Sequence, residues 1–230
     1  MRQTLRVVAS LLLASALVLG MAGPAPAKHS QNFTSPDILT AGDIPYPATT
    51  VAAGVVTLAV NLDATGQIMN VQTLRDIPTV TTQATIALQN WTYAPASLNG
   101  RHVPSTLIVN IVFDPAFLES NNIPLGPPES FQPLNPKATA YTPPQLFTAT
   151  FPPYPTNGQT SGAVVLDVTV SSQGKIAQVA TVRAVPTLTA AAAAALQNWS
   201  FSAATYGNTP VASKVVVAMV FRNPATALPD

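Results

Sequence analysis

From Gly54 the chain alternates: Val56, Leu58, Val60 and Leu62 are apolar, while Thr57, Ala59 and Asn61 between them are small or polar. A period of two is what a strand with one buried face requires. Asp63-Ala64-Thr65-Gly66 then supplies turn residues, and a second run from Gln67 to Arg75 completes a hairpin. Within that run Ile68 and Val71 are out of step, which predicts a bulge near Asn70. After Pro78-Thr79 the period changes. Val80, Ala84, Ala87, Leu88 and Trp91 fall on one face of a helix, with Thr79 or Thr81 available to cap it. A final alternation through Ser105, Leu107, Val109, Ile111 and Phe113 predicts a third strand.

The whole pattern occurs twice. Pro45 to Phe113 aligns without a gap on Pro153 to Phe221, with about 27 of 69 positions identical. Ala87-Leu88-Gln89-Asn90-Trp91 returns as Ala195-Leu196-Gln197-Asn198-Trp199. In the second copy Val164, Leu166, Val168 and Val170 form the first alternation, Ile176 to Arg183 the second strand, Leu188 to Trp199 the helix and Ser213 to Phe221 the last strand. The expected fold is α+β: two tandem β-β-α-β domains, each a three-stranded antiparallel sheet with a helix packed on one face. The boundaries read as residues 45–114 and 153–223, joined by a proline-rich linker at 115–152, with a flexible lead-in at 28–44 and a tail at 224–230. Trp91 is the expected central plug of its domain.

Charge narrows the partners. The formal net charge is +1, with no basic stripe for nucleic acid, and the absence of cysteine excludes disulfides and thiolate chemistry. At the N-terminus Arg2 and Arg6 precede an apolar stretch from Val7 to Ala22, and Ala25-Pro26-Ala27 fits a cleavage site. Residues 1–27 therefore read as a secretory signal peptide, placing the protein in the periplasm or cell envelope. The alternative is an uncleaved leader anchored in the inner membrane, the one case in which the chain touches a membrane.

Both copies resemble the C-terminal domain of TonB, the energy transducer of Gram-negative outer-membrane transport. The first matches through Tyr46-Pro47, Gly54, Gly66, Ala87, Trp91, Tyr93, Pro95-Ala96, Asn99-Gly100 and Phe113. The second matches through Tyr154-Pro155, Gly162, Gly174, Trp199, Phe201 and Phe221, with Ala203 for the proline and Gly207-Asn208 for Asn-Gly. The resemblance implies a protein-binding module of the envelope whose sheet edge accepts a receptor segment as an added strand. On that implication the last strands are the binding edges, through Ser105, Leu107, Val109 and Ile111 in the first copy and Ser213, Val215, Val217 and Met219 in the second. The partners expected are envelope proteins, including outer-membrane receptors, or a second copy of the chain. Val7 to Ala22 carries no histidine, unlike the anchoring helix of the transducers. Tandem copies also fit a structural adaptor that uses the paired domains for assembly, with each other through a shared or swapped strand.

No enzyme is expected. His29 and His102 stand alone, and the carboxylates from Asp37 to Asp230 form no acid/base or metal pattern. No phosphate-binding loop, nucleophile elbow or dinucleotide motif occurs, so no cofactor is expected. Arg75 and Arg183 are the charged residues kept in both copies, and an ion pair or a partner contact is expected of them.

Overall fold

A computed structural model of the chain describes residues 32–115, 122–123, 125, 140–155 and 160–223. The leader, the tail, His29 and most of the linker lie outside them. The described residues belong to one compact unit.

The first copy begins earlier than the aligned repeat. Its strands are β1 (Phe33–Thr34), β2 (Asp37–Thr40), β3 (Gly54–Leu62) and β4 (Ile68–Arg75), followed by helix α1 (Pro78–Leu88). Then come β5 (Thr92–Ala94), β6 (Ala96–Leu98), β7 (Arg101–Val103) and β8 (Ser105–Asp114). A short β9 (Asn122–Ile123) precedes the second copy: β10 (Tyr141–Thr142), β11 (Leu146–Thr150), β12 (Gly162–Val170), β13 (Ile176–Arg183) and α2 (Thr189–Ala195). A 3-10 turn at Leu196–Asn198 leads to β14 (Ser200–Phe201), β15 (Ala204–Tyr206), β16 (Thr209–Val211) and β17 (Ser213–Phe221). The stretches expected to be a lead-in and a linker thus supply equivalent strands to the two copies.

Local chemistry explains these elements. Gly66 and Gly174 sit at φ +86° and +76°, and a Cβ on them would meet the carbonyl oxygens of Tyr93 and Phe201 at 2.4 and 2.6 Å. Only glycine fits a left-handed conformation that also faces backbone at that range. Asp63 Oδ1 accepts the Thr65 N–H at 2.7 Å and the Gln67 N–H at 3.0 Å, closing the first hairpin. The Thr65 hydroxyl, with those N–H groups behind it, holds the Asp63 carboxyl below its ordinary range. The bulge near Asn70 is present, as a register shift between Asn61 and Leu62 opposite Asn70 and Ile68. Helix α1 has Ile77 at its N-cap without a side-chain cap; Thr81 Oγ1 instead accepts the Ile77 N–H at 2.9 Å, and Thr189 does the same for Val185 at 3.0 Å. The expected helix face is buried, although Trp91 lies beyond the last turn.

The expectation of two separate three-stranded sheets is corrected by the tertiary structure. The long strands form one six-stranded sheet in the order β13-β12-β17-β8-β3-β4. Each half is antiparallel, and β8 and β17 join the halves in parallel, with Val109 opposite Val216 and Asp114 opposite Phe221. The apolar residues separate into two clusters. One holds α1, Val56, Leu58, Val109 and Ile111 together with Val165, Val216, Ala218 and Val220 of the second copy. The other holds α2, Leu166, Val217 and Met219 together with Val55, Ala59, Ile108 and Val112 of the first. Adjacent strand residues point to opposite faces, so α1 and α2 lie on opposite faces of the common sheet.

Each copy therefore leaves half of one face for its neighbour to cover. Ile38 and Ile44 join the cluster beneath the second copy's strands. Pro144, Gln145 and Leu146 sit against Thr57, Leu74 and Ile108 of the first. Strand β2 pairs with β5 of its own copy, and β11 with β14 of its own, yet each reaches the other copy's strands.

Candidate functional site

Four of the eight residues expected at binding edges, Val109, Ile111, Val217 and Met219, lie in the ladder that pairs β8 with β17; Ser105, Leu107, Ser213 and Val215 stand on the same strands before that ladder begins. Ser105, Leu107, Val109, Ile111, Ser213, Val215, Val217 and Met219 are buried. Strand β8 has β3 on one side and β17 on the other, and β17 has β12 and β8. Over Val109–Asp114 and Val216–Phe221 each last strand fills the edge of the other. The open edges of the sheet are β4 and β13, among the described residues.

Polar contacts fasten the copies around this seam. Lys214 Nζ lies 2.5 Å from Asp37 Oδ2 of the first copy and 2.6 Å from Asp167 Oδ2 beside it. The two partners do not shift symmetrically. Burial tends to lower the Lys214 pKa, but its hydrogen bonds to Asp167 and Asp37 outweigh that and raise it. Burial also raises Asp167, more than the Lys214 bond lowers it. The geometry is that of an ion pair in which the buried carboxylate loses solvation that one shared ammonium only partly replaces. Arg183 pairs with Asp43 at 3.1 Å, so the ion pair expected of this repeated arginine joins the copies. Arg75 donates to the Leu125 carbonyl at 2.9 Å and to Thr57 Oγ1 at 3.0 Å. Arg222 donates to the Thr50 carbonyl at 2.8 Å and stacks over the Tyr46 ring. Burial pushes the Tyr46 hydroxyl up to about 12.

Asp37, Asp43, Asp167, Lys214 and Arg222 were not singled out in the sequence. A signal existed for two of them. Asp167 and Lys214 stand on adjacent strands at positions where the first copy has Ala59 and Thr106, and both lie on the face turned away from α2. Opposite charges facing away from the domain's own helix point to a covering element. His102 is exposed on β7, apart from these groups. Among the described residues no group of histidine and carboxylate side chains could hold a metal, and no helix is long and apolar enough to cross a membrane.

Two segments of the chain, residues 46–115 and 149–222, match the family model for the Gram-negative bacterial TonB protein C-terminal. The chain belongs to the TonB C-terminal family. It carries two tandem TonB C-terminal domains, and each match ends at or just beyond the last strand, so the seam is built from the closing strand of each. No curated protein and no solved structure matches the chain. TonB C-terminal domains are protein-interaction modules rather than enzymes, and the family is associated with the cell envelope.

Proposed function

We propose that this protein is a non-enzymatic adaptor of the periplasm or cell envelope, in which two TonB C-terminal domains are closed into one body and present their outer surfaces to protein partners. The observation that carries this reading is the parallel pairing of β8 with β17. A strand whose backbone groups are already paired on both sides has no ladder to offer a receptor segment. Adding such a segment along Val109–Asp114 or Val216–Phe221 requires the seam to open, exposing two apolar clusters that each span both copies. Export by cleavage of residues 1–27 is part of the same proposal.

The family match supports a second reading, in which the closed form is a resting state and outer-membrane transporters displace one copy from the other. Locking the seam separates the two. The chain has no cysteine, so Ile111→Cys with Ala218→Cys introduces a single reporter pair across the seam. Photo-crosslinking residues placed in cells at Val109 and, separately, at Val217 then show what meets the strand. The adaptor reading expects capture of the protein's own chain at both positions and unchanged partner capture at exposed positions after the seam is oxidised. Capture of receptor segments at Val109 or Val217, abolished by oxidation, would overturn it in favour of the transport reading.

A further inference from the structure

We propose that the open side of β13, with the groove between β13 and α2, binds an extended peptide segment of another protein bearing a carboxylate. This rests on the protein-binding reading above and names a surface for it. Edge strands normally discourage pairing with charge, proline or distortion. Between Ile176 and Val182 strand β13 has no charge and no proline, and Ala177 to Thr181 are exposed. Its distortions lie at the two ends, at the register shifts beside Val165 and Val170; from Gln178 to Thr181 the pairing with β12 is regular. A straight, uncharged stretch is thus left with its outer backbone groups unpaired among the described strands. The corresponding edge β4 is less open, because Leu74 is buried and Arg75 is tied to Leu125.

A groove runs beside this edge. It holds about 540 Å³ and is lined by Lys175, Ile176, Val179, Ala193, Leu196 and Trp199 among others, with Val179 38% exposed. The equivalent groove beside β4 holds about 260 Å³. Where α1 carries Thr85, α2 carries Ala193, which lines the groove with less side-chain volume. An added strand would pair with β13 through its backbone and drop alternate side chains toward Ile176 and Val179.

Charge selects the occupant. Lys175 is exposed at the start of the edge and makes no ion pair among the described residues, while Arg183 at the far end is already matched by Asp43. A second copy laid antiparallel would bring Lys175 to the Arg183 end, where the nearby carboxylate is engaged. A foreign segment with an aspartate or glutamate opposite Lys175 supplies the missing charge.

The test pans short random linear peptides, displayed on phage, against the full chain and maps the enriched sequences on the isotope-labelled full chain by amide shifts. Enriched peptides are expected to carry a carboxylate, to alternate in apolar character and to shift residues 175–183 and 190–199. Lys175→Glu should weaken them by about threefold and favour a lysine-bearing version by a similar factor, the scale of one exposed ion pair. Ala193→Leu should fill the groove and weaken binding further without moving the β8 and β17 amides, which report that the fold is intact. Absence of enrichment, indifference to Lys175→Glu, shifts at β8 and β17, or concentration-dependent dimerisation that Ala180→Pro abolishes would each overturn the proposal. If envelope partners are still captured at other exposed positions, the adaptor reading survives that failure.

Discussion

Val109 lies beside Val216 in the seam, one position short of Val217, its counterpart in the repeat. That single-residue stagger decides the architecture. Side chains alternate along a strand, so pairing Val109 with Val216 matches the α1 side of the first copy to the side of the second copy that faces away from α2. The helices then fall on opposite faces, and each copy must be completed by chain from the other.

Completion by the partner copy predicts one unfolding transition. Trp91→Ala removes a buried indole from a cluster that includes Val165, Val216 and Val220 of the second copy. The expected cost is about 3–5 kcal/mol. Denaturant titration followed by the fluorescence of Trp199, in the opposite cluster, should show the same loss as far-ultraviolet circular dichroism. An unmoved Trp199 transition would show that the copies fold independently.

Splitting the chain should fail for the same reason. A fragment spanning residues 140–223 lacks Ile38 and Ile44 and exposes Ala163, Val165, Val216, Ala218 and Val220 together with the free side of β17. It should self-associate or aggregate, as read by light scattering, whereas the whole chain should remain discrete. Mixing it with a fragment of residues 32–115 should rescue solubility.

Lys214→Met should destabilise the protein by about 2 kcal/mol, because it strands the buried Asp167 carboxylate; the figure is below that of a fully buried pair because Lys214 and Asp37 keep roughly a third of their side-chain surface in water. The sign with pH follows from the raised Lys214 pKa. Its contribution is complete below the ordinary lysine value of 10.5 and is lost as pH rises through the higher folded value. Thermal midpoints of the parent should therefore fall above that range, and those of the Lys214→Met protein should fall less.

The turn glycines separate strain from collision. Gly100→Ala meets φ +79° but open space, and should cost about 1 kcal/mol. Gly66→Ala meets φ +86° and the Tyr93 carbonyl together, and should cost more than about 2 kcal/mol. Equal midpoints for the two variants in urea would show that the Tyr93 segment yields to the added methyl.

Much of each copy was legible because its information is local. The period of two in β3 and β8, the helical period through Val80, Ala84 and Leu88, the bulge opposite Asn61 and the need for glycine at position 66 all arise within a few residues of chain. The short strands β1, β2, β10 and β11 were not legible, since a few irregularly spaced residues such as Asp37 to Thr40 carry no period and gain their pairing from the distant strands β6, β5, β15 and β14 respectively.

By itself the sequence determined that this protein contains one β-β-α-β unit twice, that both units belong with TonB C-terminal domains, and that Trp91 and Trp199 anchor their helices. Only the tertiary structure decided what the last strands pair with. An alternating run such as Ser105 to Phe113 suits a foreign peptide, a second chain or β17 equally well, because backbone hydrogen bonds are the same for every partner. The choice was made by the burial of two half-covered faces at once, a property of the assembled sheet that no local stretch of residues records.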